Sequence, residues 1–352
     1  MPQILLYIFL ASIGLGTTLT FLSTHWLFAW VGLEISTAAI MPLMTQHHHP
    51  RASEAATKYL LIQASATGML MFATAFNGWM EVQWEIMNIK NEFAIALVML
   101  ALSMKLGLAP FHLWLPEVMQ GINLMTGLIL STWQKLAPFA LLLQMSHAIH
   151  FSFLTTVGIL SAALATWGGL NQTQLRKILA YSSTAHLGWI IIVIQFAPNL
   201  SMLALGIYIF MTMAAFLTLM ETSSTKISTF SISWSKNPIM AATMVLVLLS
   251  LAGLPPLTGF MNKWCIIDEM TKQEMAVPST MIMMTALISL YFYIRLCYFS
   301  AITLFPNTSK TKISWRRKNK KDKNVLSTVL TVAIIVLPVT PLVMAFTYFY
   351  LI

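Results

Sequence analysis

Four of the chain's twenty lysines and arginines, Lys105, Lys135, Lys263 and Arg295, fall within or beside runs of apolar residues, and Glu34 lies near the middle of another run, LFAWVGLEISTAAIMPL. A charged side chain at the centre of a bilayer costs roughly 2.5 to 3.5 kcal/mol on insertion scales, so Glu34, Lys105, Lys135 and Lys263 together represent on the order of 10 to 14 kcal/mol before pairing. Such residues face the interior of a helix bundle, pair with one another and line ion or proton paths. One glutamate can neutralise one lysine, as glue between helices, but it cannot neutralise three. Burial disfavours a charged amine and a nearby carboxylate favours it, so a lysine held between the two influences can exchange a proton reversibly. The three lysines are therefore read as proton carriers. Arg295, in YFYIRLCYF, lies close enough to the basic end of its run to reach the interface along its own stem.

Two histidines join these candidates. His112 follows the stretch KLGLAP, and His186 stands in RKILAYSSTAHLGW beside Ser182, Ser183 and Thr184. Imidazole titrates near neutrality, so a hydrated proton relay is one reading and a satisfied packing histidine the other. Haem ligation is disfavoured because His112 falls at irregular backbone and no second intramembrane histidine pair accompanies it. His47, His48 and His49 precede Pro50 in a short polar stretch, where adventitious metal binding is the most to expect. Glu117, just after Pro116, is placed near an interface. Cys265 and Cys297 cannot supply four thiolates, which excludes an iron-sulfur cluster held by this chain alone; both read as small apolar fillers. GLGTTL at 14–19 lacks the third glycine and preceding strand of a dinucleotide site, and no motif for a nucleotide, flavin or quinone is legible.

The elements that must position these groups are membrane helices. The 352 residues are 58% hydrophobic and 9% charged, against roughly 25% charged in a soluble domain, and a helix needs about 20 apolar residues to cross a hydrocarbon core. Eleven spans are predicted, near 3–22, 26–44, 57–78, 93–120 (interrupted), 124–145, 151–170, 176–196, 200–220, 238–273 (interrupted), 276–304 and 325–350. The N-terminus lacks a basic n-region and a small-residue cleavage site, so it is expected to be the first span rather than a removed signal. Fourteen lysines and arginines follow even-numbered spans, whereas only Lys90 and Lys272 follow odd ones. By the positive-inside rule the even loops and the N-terminus face the compartment of synthesis, cytoplasm or mitochondrial matrix. The run KTKISWRRKNKKDK has one tryptophan and no aromatic platform, and is read as an anchor near anionic lipid rather than a nucleic-acid site.

Two of these spans are broken alike. Gly-Leu-x-Pro occurs at Gly107–Pro110 in the fourth span and at Gly253–Pro256 in the ninth, each with a lysine nearby, Lys105 before the first and Lys263 after the second. Five spans separate the copies, an odd number, so they run in opposite directions through the membrane, which is the arithmetic of an inverted repeat. Proline removes a donor and clashes with the preceding turn, and freed carbonyls at membrane depth are tolerated only where protein or water satisfies them. A matched pair of interrupted spans points to a transport site.

KLGLAPFHLWLPEV, TWQKLAPF, LRKILAYSSTAHLGW and LAGLPPLTGFMNKW, in this order, resemble the antiporter-like membrane subunits of respiratory complex I. The resemblance covers essentially the whole chain. It implies an all-α integral membrane protein of two inverted five-helix repeats, about 1–145 and 150–304, each with one discontinuous helix, then a basic loop at 305–324 and a C-terminal helix at 325–350. Bacterial members have fourteen spans, and this chain is expected to begin where their fourth stands. Carried over by residue, the resemblance implies that Glu34 pairs with Lys105, that Lys135 is the central carrier and Lys263 the terminal one, and that His112 and His186 lie along the hydrated axis. Some members carry a glutamate at the terminal position, so Lys263 narrows the branch. The resemblance further implies a subunit of the proton-translocating NADH:ubiquinone reductase in the mitochondrial inner membrane, with basic loops on the matrix side and other complex I membrane subunits, including sister antiporter-like ones, and lipids as partners. No cofactor is expected on this chain: flavin, iron-sulfur clusters and ubiquinone are implied on partner subunits. The 25 methionines fit a mitochondrially encoded chain, although soft core packing explains them equally. A free-standing cation/proton antiporter of the same fold and a purely structural membrane scaffold are the competing readings.

Overall fold

In lipid every backbone polar group must be satisfied within the chain, which leaves helices as the spanning element for a sequence like this one. A computed structural model describes residues 3–46, 49–302 and 324–335, and among them the regular structure is helical. The chain divides into two compact units, Met1–Ser161 and Ala162–Ile352. In the first lie α1 (Gln3–Leu22), α2 (Trp26–Met44), α3 (Pro50–Glu81), α4 (Glu92–Leu106), α5 (Trp114–Gly121), α6 (Leu124–Ser131), a 3-10 turn (Trp133–Lys135), α7 (Leu136–Gln144) and the start of α8 (Phe151–Gly169). The second holds the rest of α8, then α9 (Leu175–Val193), α10 (Pro198–Thr222), α11 (Ile227–Lys236), α12 (Pro238–Ala252), α13 (Thr258–Lys272), α14 (Ala276–Ile302) and α15 (Asn324–Ile335).

Among the described residues six helices, α1, α2, α3, α8, α10 and α14, are long and apolar enough to cross a membrane, and the chain is a membrane protein. The predicted spans 93–120 and 238–273 are interrupted, between α4 and α5 and between α12 and α13. The span at 124–145, expected to be continuous, is also broken. Pro138 has no N–H to give the Gln134 carbonyl, and the chain passes through the 3-10 turn before α7 resumes. Two further expectations are corrected. α3 starts seven residues before the predicted span at 57–78 and so takes in Arg51, because Pro50 occupies its first position and the His49 imidazole caps it, accepting from the Arg51 N–H at 3.1 Å. The stretch between Lys226 and Lys236, expected as loop, folds as α11. The basic loop at 305–324, Asn324 apart, and the final part of the C-terminal helix lie outside the described residues, as do His47 and His48.

Within the first unit α1 and α2 approach closely, because a Cβ on Gly16 or on Gly32 would come within 2.7 Å of the other's carbonyl oxygen; small residues permit such contact in membranes. α3 packs against α2, α4 and α5, and α7 against α1, α2 and α4. Within the second unit α10 packs against α9, α12, α13 and α15, and α13 also meets α9 and α14.

The two Gly-Leu-x-Pro sites end their helices alike. α4 closes on Gly107 (φ 73°) and α12 on Gly253 (φ 82°), both left-handed. Leu108 N–H donates to the Ser103 carbonyl at 2.9 Å and Gly107 N–H to Met104 at 3.2 Å; Leu254 N–H donates to Leu249 at 3.4 Å and Gly253 N–H to Ser250 at 3.0 Å. Both are Schellman caps, in which the left-handed residue lets two amides turn back onto the last carbonyls.

Candidate functional site

Lys105 stands in the last turn of α4, only 5% exposed, and its Nζ has no hydrogen-bond partner among the described residues. Lys135 ends the 3-10 turn and is 3% exposed. Both line one cavity, whose other polar walls are Ser36 and Thr37 of α2, Tyr59 and Gln63 of α3, and Gln134. The cavity is small, with room for about one water molecule. Two side chains that can each hold a proton therefore line one space large enough for a single water. Gln134 Nε2 donates to the Ser36 carbonyl at 3.2 Å, tying the Lys135 turn to α2.

Glu34 is half-buried on α2, and Thr37 Oγ1 donates to its carboxylate at 3.3 Å. Lys105 Nζ has no hydrogen-bond partner among the described residues, so the expected Glu34–Lys105 ion pair is not closed. α2 and α4 each pack against α3. His112 is buried in the turn after α4, its carbonyl accepting from Leu115 N–H at 3.1 Å. It does not line the cavity. Glu117, on α5, is exposed and pairs at 2.9 Å with Lys58, which also meets Glu54 at 2.9 Å.

In the second unit Lys263 sits half-buried on α13. Its Nζ donates to the Ala252 carbonyl at 2.9 Å and lies 5.8 Å from the centre of the Trp189 ring. Termination at Gly253 leaves the last carbonyls of α12 without helical amide partners, and a cation there also meets the negative end of the helix dipole. His186 is buried on α9 with its ring 5.8 Å from that of Tyr208 on α10. It precedes Trp189 by three positions, so the two share a helix face. Arg295, expected at the interface, ends on the Leu170 carbonyl just past α8, with Phe299 5.7 Å from its guanidinium. Both cysteines are free thiols, and among the described residues no group of three or more His, Cys, Asp and Glu side chains is placed to hold a metal.

Sequence reading missed Gln134, Gln63 and Tyr59 as walls of the lysine cavity. The intramembrane proline of TWQKLAPF is only a weak signal for the first, since Pro42 lies inside α2 without breaking it.

A family model described as NADH:quinone oxidoreductase/Mrp antiporter, TM, matches residues 23–289, and one described as NADH dehydrogenase subunit 2 C-terminus matches residues 290–344. A curated protein named NADH-ubiquinone oxidoreductase chain 2, from Carassius auratus, is 56% identical over 99% of this chain and 100% of its own length. This chain belongs to the NADH-ubiquinone oxidoreductase chain 2 family. Among solved structures, a chain of respiratory complex I from Thermus thermophilus with bound aureothin is similar at a TM-score of 0.78, with 24% identity over 93% of this chain and 75% of that one. A chain of the membrane-bound sulfane sulfur reductase, an archaeal respiratory membrane complex, gives 0.80, with 17% identity over 95% and 72%. At these identities the likeness carries the fold alone. The branch of the antiporter-like family to which Lys263 pointed is thus the chain 2 family, and the junction of its two matched regions falls inside α14 rather than in a linker.

Proposed function

We infer that this chain is the chain 2 subunit of respiratory complex I, coupling NADH-to-ubiquinone electron transfer on partner subunits to proton translocation in the mitochondrial inner membrane. The observation that carries the reading is the cavity whose walls include both buried Lys105 and buried Lys135. In the proposed cycle a charge change arriving from neighbouring membrane subunits alters the hold of Glu34 on Lys105. The proton of Lys105, or its repulsion, passes to Lys135, and Lys263 exchanges with one aqueous side. His112 and His186 serve as relay groups in their own units. Moving one elementary charge against 100 mV costs about 2.3 kcal/mol, and a group whose proton affinity swings by two pKa units supplies about that much. The architecture proposed for this work is eleven spans in two inverted five-helix repeats, about 1–145 and 150–304; the matching Schellman caps at Gly107 and Gly253 support it. The N-terminus and basic loops are assigned to the matrix side. Flavin, iron-sulfur clusters and ubiquinone are assigned to partner subunits, and sister antiporter-like subunits and lipid to the flanks.

The test is the number of protons translocated per NADH oxidised in sealed vesicles carrying the assembled complex. Lys135→Met lowers that ratio on this reading; a full ratio refutes it. A second reading, a free-standing cation/proton antiporter, draws on the Mrp antiporter half of the matched family description. It requires a small colourless native particle that exchanges ions in liposomes with no redox partner. The complex I reading requires a far larger particle with flavin and iron-sulfur absorbance.

A further inference from the structure

Gln134 has no part in the scheme above, yet it joins two elements that carry proton groups. Its position in the chain is one residue before Lys135, within a three-residue 3-10 turn. Such turns have poorer hydrogen-bond geometry than an α-helix and mark hinges when they fall mid-helix. The Gln134 carbonyl cannot receive the helical bond from residue 138, because that residue is Pro138. The turn thus has little local strength of its own. Across 98 positions of sequence, the side-chain amide donates to the carbonyl of Ser36, two residues after Glu34 on α2. A carbonyl oxygen has two lone pairs, so this bond is added to α2 without taking one from it. Ser36, Gln134, Lys105 and Lys135 wall the same cavity. Carboxamide chemistry suits this place: it donates one hydrogen bond at every working pH and takes no part in titration, which a carboxyl or imidazole would.

We propose that Gln134 is a positioning residue of the proton relay, whose Nε2–H bond to Ser36 holds the Lys135 turn at the cavity and couples it mechanically to the helix of Glu34. This inference rests on the relay reading, and the experiment separates the two. Protons translocated per NADH oxidised are measured across pH, per assembled complex in sealed vesicles, for Gln134→Leu, Gln134→Glu and Lys135→Met. Gln134→Leu is expected to lose at least half as much of the ratio as Lys135→Met, at every pH. The carboxyl of Gln134→Glu can donate to Ser36 only while protonated. Its ratio therefore approaches that of the native chain as pH falls and departs from it as pH rises, when the carboxylate loses its donor to Ser36 and faces Lys105, Lys135 and Tyr59 on the same cavity, a split that mere packing does not produce. If Gln134→Leu impairs assembly, the surviving complexes still report the ratio, and a full ratio in them overturns the proposal, as does a Gln134→Glu profile that follows the native chain throughout. A full ratio in Lys135→Met overturns the relay itself and this role with it.

Discussion

The two left-handed glycines offer a controlled comparison, because they share a backbone conformation and differ in what they touch. Alanine in the left-handed region costs roughly 1 to 2 kcal/mol, and that strain applies equally to Gly107→Ala and Gly253→Ala. At Gly107 the new Cβ meets the Leu115 Cδ1 at 3.0 Å, an apolar branch that can rotate away. At Gly253 it meets the Lys263 side chain at Cδ (3.1 Å), Cε (3.3 Å) and Nζ (3.3 Å), the same Nζ that donates to Ala252. Displacing that amine forfeits a hydrogen bond to a charged group, roughly 1.5 to 3 kcal/mol more. With each 1.4 kcal/mol a factor of ten, amide exchange at Leu108 is expected to rise about 5- to 30-fold in Gly107→Ala. At Leu254 it rises by a further factor of ~10 to 150 in Gly253→Ala. Hydrogen exchange read by mass spectrometry on the assembled complex measures both turns in one digest. Lys263→Met should loosen the Leu254 turn by the second factor alone, and its combination with Gly253→Ala should fall short of additivity. Equal acceleration of the two turns, or full additivity, refutes the claim that Lys263 leans on the broken end of α12.

Pro138→Ala restores an N–H for the Gln134 carbonyl and allows α6 and α7 to join through Lys135. The complex is expected to keep its thermal inactivation temperature or raise it, while protons per NADH fall; an unchanged ratio shows that the break is incidental. Gly32→Leu drives a side chain into the Gly16 carbonyl and parts α1 from the helix of Glu34, so little assembled complex is expected on a native gel. Gly14→Ala, with nothing within 4 Å of its Cβ, leaves assembly unchanged.

Much of the fold was legible because its causes are local. Apolar run length marks a span, and Gly-Leu-x-Pro marks a broken one, since the glycine takes the left-handed cap and the proline removes a donor. TWQKLAPF has the missing proline donor without the glycine cap, and proline alone does not mark a break, since Pro42 lies inside α2. α11 was missed because a charge-flanked stretch between spans reads as loop when only apolar length is counted.

Sequence alone determined that this chain lies in a membrane, that Lys105, Lys135 and Lys263 are buried or half-buried charges, and that two of its helices stop short. Composition, charge cost and the missing proline N–H act whatever the chain does elsewhere. Only tertiary structure decided who meets whom. Lys105 and Lys135 share a cavity, Glu34 stands off from Lys105, and Gln134 reaches Ser36 across 98 positions. Arg295 likewise finds the Leu170 carbonyl across 125 positions. Hydrogen bonds and ion pairs require a few ångströms and a direction, and in a helix bundle those are set by how the helices pack against one another, which no single helix's sequence encodes.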